Sequence, residues 1–223
     1  MLNLYEKHHS KKEYTSIWLF REIKKRFNPD RVLYPGCYVH ITPSFVFSDT
    51  VYVDSFRDTQ KFYESLEVRK FIEKNKEYQE KTNLKFYPQD YTQNIPEDLE
   101  SFDAIISQYG GFVGRAVKKY LRKGCILVCN NSHGDASMAS MDADYELTAV
   151  YNRRTDEKFI ISSENLEEYM IPKKKVKIAK ESIEKTMNGI PYTKSPSGYV
   201  FRKNKKSSLD LTNLLDLVSV LVS

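Results

Sequence analysis

The sequence predicts a three-layer α/β domain in which a mostly parallel sheet ends in a C-terminal antiparallel hairpin and carries helices on both faces. Short apolar strands alternate with helical segments through the first two thirds of the chain. Two strands, at 102–107 and 125–129, are almost wholly apolar, as in parallel sheets that are covered on two sides. After residue 144 the pattern changes to two strands joined by a turn, which indicates a hairpin.

Helix-type and strand-type periodicity alternate through residue 129. Apolar residues three and four positions apart indicate helices, short apolar runs indicate strands, and glycine, proline or aspartate closes most segments. The predicted strands are 31–34, 50–53, 84–87, 102–107 and 125–129, and the predicted helices are 15–28 and 113–121, the second of which is stopped by Gly124. Between the second and third strands we expect a helical stretch from Ser55 to Ile72, capped by Ser55 and Asp58. The apolar side of this stretch consists of Phe62, Leu66, Phe71 and Ile72.

The last third of the chain has a different pattern. It predicts a hairpin of 145–151 and 158–161, a short helix at 163–170, strand candidates at 175–179 and 199–202, and a helix from Ser208. Leucines and valines form one stripe along this last helix, which could dock on its own domain, on a partner or on a second copy in a homodimer.

Composition limits the class of protein. The chain has 223 residues, 40% hydrophobic and 29% charged, which is typical of a folded globular protein. A chain of this length buries enough surface to fold without disulfides or metal. No internal repeat or low-complexity linker divides it. We therefore expect one domain over 1–223, with a core at about 15–170 and a C-terminal extension at about 171–223.

Charge and hydropathy bear on location and partners. No apolar stretch approaches the roughly 20 residues of a membrane span, and the first residues lack a signal-peptide core, so we expect a cytoplasmic protein without a membrane contact. The net charge of +5 permits an anionic partner. Lysine-rich runs at 173–175 and 202–206 are most simply solvated faces, so nucleic acid stays open as a partner but is not favoured. The scattered Cys37, Cys125 and Cys129 are interpreted as core thiols rather than as a zinc site.

Candidate ligand-binding residues lie at the carboxyl ends of the strands, where open parallel sheets bind ligands. Gly36, directly after the first strand, allows the backbone to approach a ligand closely. Asp54, at the end of the second strand, is placed to accept hydrogen bonds from ribose hydroxyls. Asp90, after the third strand, could meet an adenine amine. Each also has a purely structural interpretation, as a turn glycine, a helix cap and a turn residue.

This order of segments resembles the class I S-adenosylmethionine-dependent methyltransferase family, whose fold is Rossmann-like. The resemblance covers about residues 15–151 and implies methyl transfer from S-adenosylmethionine to an unknown acceptor. Its matching segments are Val32-Leu33-Tyr34-Pro35-Gly36-Cys37 at the glycine loop, Val51-Tyr52-Val53-Asp54 at the ribose position, Gln89-Asp90 on the adenine side, 102–107 at the fourth strand, and 120–127 before and in the fifth. The cofactor-binding residues that it implies are Gly36, Tyr38, Asp54, Asp90 and Gln108.

The glycine loop departs from the family's pattern, acidic-x-Gly-x-Gly-x-Gly. Here the stretch is Tyr34-Pro35-Gly36-Cys37-Tyr38-Val39-His40, so Tyr38 and His40 replace the later glycines. Their side chains would fill space where the methionine part of the cofactor normally lies against bare backbone. Two hypotheses stay open: a methyltransferase whose loop takes another path, and a non-catalytic binding or scaffold protein with the same fold.

A polar segment, 130–135, follows the fifth strand at the same edge of the sheet. The imidazole of His133 could accept a proton from the methyl acceptor, with Asp135 or Asn131 fixing its tautomer. Alternatively the segment is a turn with an exposed histidine. A metal pair of His40 and His133 lacks a third ligand, so we expect no metal.

Overall fold

The computed structural model describes residues 2–10, 14–154, 158–174 and 180–205, over which the chain forms one eight-stranded sheet with helices on both faces. The strands are β1 (Arg31–Pro35), β2 (Asp49–Val53), β3 (Asn83–Tyr87), β4 (Phe102–Ser107), β5 (Leu121–Cys129), β6 (Tyr145–Arg153), β7 (Phe159–Ser162) and β8 (Gly198–Lys203). The α-helices are α1 (Leu2–Tyr5), α2 (Tyr14–Phe27), α3 (Pro43–Val46), α4 (Thr59–Glu64), α5 (Leu66–Asn75), α6 (Val113–Ala116), α7 (Asp135–Ser140) and α8 (Lys180–Thr186).

The strand order is β3-β2-β1-β4-β5-β8-β6-β7. The first five strands are parallel, β8 runs antiparallel to both β5 and β6, and β7 pairs antiparallel with β6. The order reverses between β1 and β4, which is the switch point where doubly wound sheets bind ligands. The predicted Rossmann-like α/β fold, a mostly parallel sheet with a C-terminal antiparallel hairpin, is confirmed.

Two apolar layers cover the sheet because successive side chains of a strand point to opposite faces. In β1, Val32 and Tyr34 pack in the layer that contains α2 to α5. Leu33 packs in the layer that contains α6 to α8. All three side chains are fully buried, which explains why the central strands are continuous apolar runs in the sequence.

The helical stretch predicted after Ser55 is two helices. The backbone at Ser65 is extended, so α4 ends there and α5 begins with a new direction. Phe62 and Ile72 are buried as expected. Leu66 was expected on the same apolar side but is 65% exposed, since the break at Ser65 turns it outward.

The prediction of a helix at 113–121 is wrong after Ala116. The α-helix ends at Ala116, a 3₁₀ turn follows over Lys118–Tyr120, and Leu121 already pairs with Phe102 of β4. Gly124 lies inside β5 with a φ of 82° rather than at a helix end. Val117 and Leu121 are buried either way, so the apolar spacing alone could not distinguish the two structures.

Other differences lie both inside the chain, where α3 and α7 were not predicted, and near its ends. The N-terminal α1, the π-helical turn Glu6–Ser10 after it, and α8 were not predicted, and the helix expected at 163–170 is a shorter 3₁₀ helix, Leu166–Met170. The candidate strand at 175–179 and the helix from Ser208 lie outside the described residues. Every helix within the described residues is too short or too polar to cross a bilayer.

A buried carboxylate, Glu97, links β1 to β3. Its side chain is 4% exposed and accepts hydrogen bonds from Arg31 Nη2 at 2.6 Å, Lys85 Nζ at 3.1 Å and Tyr87 Oη at 2.8 Å. Burial acts to raise the pKa of Glu97, but these hydrogen bonds outweigh it and hold the pKa below its usual value. The anion therefore stabilises this side of the sheet.

Replacing Glu97 by alanine should lower the free energy of unfolding by about 3 kcal/mol, because Arg31 would keep its charge without its nearest partner. Urea unfolding at neutral pH measures the change. Glu73→Ala is the matched control, since the Glu73 side chain is 52% exposed where it pairs with Lys76, and its removal should cost no more than about 0.5 kcal/mol. Equal losses in the two variants would contradict the structural role of Glu97.

Candidate functional site

A cavity of about 610 Å³ lies at the carboxyl edge of the sheet, close to the switch point. Its walls come from the loop after β1, the ends of β4 and β6, the start of β7, the N-terminal segment and α2. The lining residues are the aromatic Tyr38, Tyr109, Tyr151 and Phe159, the imidazoles His8 and His9, and Ser16, Leu19, Gln108, Arg153 and Ser197. This size, with aromatic walls and a few polar groups, is typical of small-molecule sites.

The loop after β1 takes a buried path into the one-turn helix α3. His40, at a position where the methyltransferase pattern has glycine, is 1% exposed and points into the core. Its Nδ1 lies 2.8 Å from the hydroxyl of Tyr34, and its Nε2 lies 3.2 Å from that of Ser16. Burial, with a smaller effect of His9, lowers the pKa of His40 well below its usual value, so its ring is neutral at physiological pH.

Tyr38, in the same loop, has a φ of 47°, a left-handed conformation that is uncommon for a side chain of this size. Its ring contacts Phe56 edge-on at 5.2 Å and His8 at 5.4 Å, and it lines the cavity. Tyr38 therefore connects the end of β2 to the cavity.

Asp54 holds the turn around Tyr38. Its Oδ2 accepts the N–H of Tyr38 at 2.7 Å, and its Oδ1 accepts the N–H of Phe56 at 2.8 Å. These contacts match the structural interpretation of Asp54. A carboxylate offers about four acceptor positions, so both oxygens keep capacity for ribose hydroxyls.

The crevice directly between β1 and β4 is filled by the chain itself. Gly36 has a φ of 63°, and a Cβ at this position would lie 3.1 Å from the Cα of Gly110. The ring of Tyr91 packs beside both glycines, and its hydroxyl donates to the carbonyl of Gly111 at 2.9 Å. The residues present therefore fit the ribose end of S-adenosylmethionine at Asp54. They do not fit its methionine end against Gly36, where Tyr91 and Gly110 already pack.

The other two predicted cofactor residues differ in their surroundings. Asp90 is exposed, and its Oδ1 accepts the N–H and the hydroxyl of Thr92, each at 2.8 Å, which is the turn interpretation. Gln108 lines the cavity, where its side-chain amide donates to the hydroxyl of Tyr151 at 3.1 Å.

The structure does not bring His133 and Asp135 together. His133 is exposed, its Nδ1 lies 3.1 Å from the hydroxyl of Ser132, and it is not among the cavity's lining residues. The carboxylate of Asp135 is buried and accepts hydrogen bonds from the Ser107 hydroxyl at 2.5 Å and the N–H of Gly114 at 3.1 Å. The role of His133 as a base stays a prediction, and Asp135 does not orient its ring.

Sequence reasoning missed His8, His9 and Tyr91. His9 lines the cavity, and its ring stacks on that of His40 at 4.7 Å with an interplanar angle of 10°. The only sequence signal was the adjacent histidine pair in a short N-terminal segment without clear periodicity. Within the described residues no group of three His, Cys, Asp or Glu side chains is arranged to bind a metal.

Comparison with known proteins finds similarity only among solved structures. No protein-family model matches the chain, and no curated protein does. The YcgJ protein from Bacillus subtilis is 20% identical with a TM-score of 0.40, over 57% of this chain and 56% of its own. A proposed S-adenosyl-L-methionine-dependent methyltransferase from Methanococcus maripaludis is 15% identical with a TM-score of 0.49, over 93% and 92%. The O-methyltransferase TomG from Streptomyces achromogenes, solved in complex with SAM, is 13% identical with a TM-score of 0.43, over 66% and 76%.

The buried Asp135 gives the protein a measurable pH dependence. Burial raises its pKa from 3.8 to about 6, although its hydrogen bonds oppose this. The native state therefore binds the proton more tightly than the unfolded state. The resulting stability is present below the unfolded pKa and is lost as the pH rises through about 6.

Asp135→Asn should remove this loss, because the amide keeps an acceptor for Ser107 and Gly114 and carries no charge. Relative to wild type, the variant should gain about 2 kcal/mol of unfolding free energy between about pH 4.5 and about pH 7.5 in urea titrations. Asp90→Asn, at an exposed turn, is the control and should parallel wild type. If the unfolding free energy of Asp135→Asn instead varies with pH as that of wild type does, burial does not raise the pKa of the Asp135 carboxyl.

Proposed function

We propose that this chain is an S-adenosylmethionine-dependent methyltransferase whose acceptor binds in the cavity at the carboxyl edge of the sheet. One observation carries the proposal: Asp54, at the ribose position beside the switch point, holds Tyr38, and Tyr38 lines the cavity. A nucleoside position and an acceptor-sized cavity therefore share a wall. The Rossmann-like strand order supports the same function.

The cofactor would be held mainly by its nucleoside. Asp54 would accept the ribose hydroxyls, and the exposed ring of Phe56 offers an apolar surface next to it. When bound, S-adenosylmethionine supplies an electrophilic methyl group on a positively charged sulfur. The ring of Tyr38 would attract such a cation and orient it toward the cavity. Asp90 would contribute less because it is exposed.

The protein's contribution to methyl transfer would be mostly positioning, because alignment of two bound reactants can supply several kcal/mol of the barrier. If the acceptor must lose a proton, the imidazoles that line the cavity, His8 and His9, are the candidate bases. His40 stacks on His9, and burial keeps the pKa of His40 low, so the ring of His40 is neutral.

Calorimetric titration with S-adenosylhomocysteine tests the cofactor proposal. Wild type should bind, and Asp54→Asn should bind about ten- to a hundredfold more weakly, since hydrogen bonds to a charged acceptor contribute about 1.5–3 kcal/mol. Asp90→Ala should lose less affinity for S-adenosylhomocysteine than Asp54→Asn does. Thermal unfolding of each variant shows whether the Tyr38 turn survives. Equal affinities of wild type and a folded Asp54→Asn would mean that Asp54 only holds the turn.

Once an acceptor is identified, two histidine variants distinguish a base in the cavity, His9, from the base predicted from sequence, His133. His9→Gln should lower turnover about 10²–10⁴-fold with nearly unchanged cofactor affinity, as expected for loss of a general base. His133→Gln is the matched control, with the same change at an exposed position outside the cavity lining. A large loss in His133→Gln with normal turnover in His9→Gln would instead support the base predicted from sequence.

A second candidate function is a non-catalytic binding module. The packing of Tyr91 and Gly110 against Gly36 favours it, because this packing occupies the crevice at the switch point. The calorimetric titration separates the two functions. A folded wild-type protein that gives no heat with S-adenosylhomocysteine or S-adenosylmethionine would be a binding module.

A further inference from the structure

We propose that the cavity selects a ligand that presents a hydrogen-bond donor, an N–H or O–H group, to the side-chain oxygen of Gln108. As a description of the methyl acceptor, this inference rests on the proposed function. As a binding property of the cavity, it needs no cofactor.

Two hydrogen bonds in series set the orientation of the Gln108 amide. The carbonyl of Cys129 can only accept, so the hydroxyl of Tyr151, which lies 3.4 Å from it, is the donor of that contact. With its single proton directed there, the Tyr151 oxygen accepts the Nε2 of Gln108 at 3.1 Å. The nitrogen of the amide therefore faces Tyr151, and the oxygen, Oε1, is left for another donor.

Tyr151 is held firmly in this arrangement. It is 2% exposed, and a Cβ on Gly198 would lie 2.1 Å from its Cζ and Oη, so the ring packs directly on the backbone of β8. Burial raises the pKa of Tyr151 above its usual value, so its hydroxyl keeps the proton that it donates. The backbone of Gln108 is also fixed, because Asn130 Nδ2 donates to its carbonyl at 2.5 Å.

The side-chain oxygen of Gln108 is an open acceptor in the cavity wall. Gln108 is half-buried and lines the cavity. Over the part of the chain that the structure describes, the amide's hydrogen bond is the one to Tyr151, and Oε1 is not among the buried side-chain atoms without a partner. Oε1 is therefore accessible to a ligand. An N–H or O–H group pairs with it, whereas a ligand atom that can only accept would oppose its lone pairs.

The two serines of the cavity lining differ from Gln108 because their hydroxyls are already engaged. Ser16 Oγ lies 3.2 Å from His40 Nε2, and Ser197 Oγ accepts the N–H of Arg153 at 3.0 Å. A hydroxyl also rotates to suit its partner, as donor or acceptor. In Gln108 the paired nitrogen and the open oxygen belong to one planar group, so the bond to Tyr151 fixes which atom meets the ligand.

Indole and benzofuran test the inference in ligand-observed NMR titrations of the full chain without cofactor. The two molecules have the same fused-ring shape, but only indole carries an N–H donor. The rings of Tyr38, Tyr109 and Phe159, which line the cavity and are not fully buried, give both molecules a surface to pack on. Indole should bind wild type about three- to tenfold more tightly, as expected for one neutral hydrogen bond. Equal binding, tighter binding of benzofuran, or no binding of either would overturn the inference.

Two glutamine variants locate the acceptor. Gln108→Met keeps the length of the side chain and removes the oxygen, so it should bring the affinity ratio of indole to benzofuran close to one. Gln60→Met, at an exposed position on α4 outside the cavity lining, should keep the wild-type ratio. Thermal unfolding shows whether each variant is folded. A wild-type ratio in folded Gln108→Met would place the partner of the indole N–H elsewhere and overturn the inference.

Tyr151→Phe tests the positioning role of Tyr151, and it takes the place of Gln108→Met if that variant does not fold. Without the hydroxyl the amide is free to turn, so the affinity ratio should fall while the affinity for benzofuran stays nearly unchanged. A wild-type ratio in Tyr151→Phe would contradict the fixed orientation on which the inference depends. Because no cofactor is present, failure of the S-adenosylhomocysteine titration would remove the methyl transfer but not this site.

Discussion

The contact of Gly36 with Gly110 determines the geometry of the functional edge. A Cβ on Gly36 would lie 3.1 Å from the Cα of Gly110, so the turns after β1 and β4 touch backbone to backbone at the switch point. Tyr91 packs over this contact and is anchored on the carbonyl of Gly111. The usual ligand crevice of a doubly wound sheet is therefore closed at its centre, and the open space lies to one side, between β4 and the hairpin of β6 and β7.

Carboxyl groups fix the turns around this contact by hydrogen bonds. Asp54 accepts two backbone N–H groups in the turn after β1, and Asp135 accepts the N–H of Gly114 and the hydroxyl of Ser107 at the end of β4. Backbone donors in tight turns lack regular partners, and a carboxylate satisfies them strongly. Asp54 and Asp135 therefore have a structural role, although their positions at strand ends suggest ligand binding.

The sequence predicts the central sheet well and the candidate site only in part, because burial leaves a local pattern in the sequence and contacts between distant segments do not. Strands such as β4 are recognisable because burial on both faces requires a continuous apolar run, and Gly36 and Asp54 follow directly from where such runs end. The helix expected at 113–121 failed because a strand beginning at Leu121 buries the same residues. The cavity residues His9 and Arg153 were missed because chain topology, which no local pattern encodes, brings the N-terminal segment to the hairpin.

The shortening of α3 changes how this edge can recognise a ligand. In doubly wound folds, the helix after the first turn directs its N-terminal N–H groups at an anion. Here that helix has four residues, and its first turn is buried, so it offers little dipole to a ligand. Side chains such as Tyr38 and Tyr109, which line the cavity, form this part of the edge instead. Tyr38, whose ring packs edge-on against Phe56 and lines the cavity, thus joins the end of β2 to the cavity by a side-chain contact instead of a helix N-terminus.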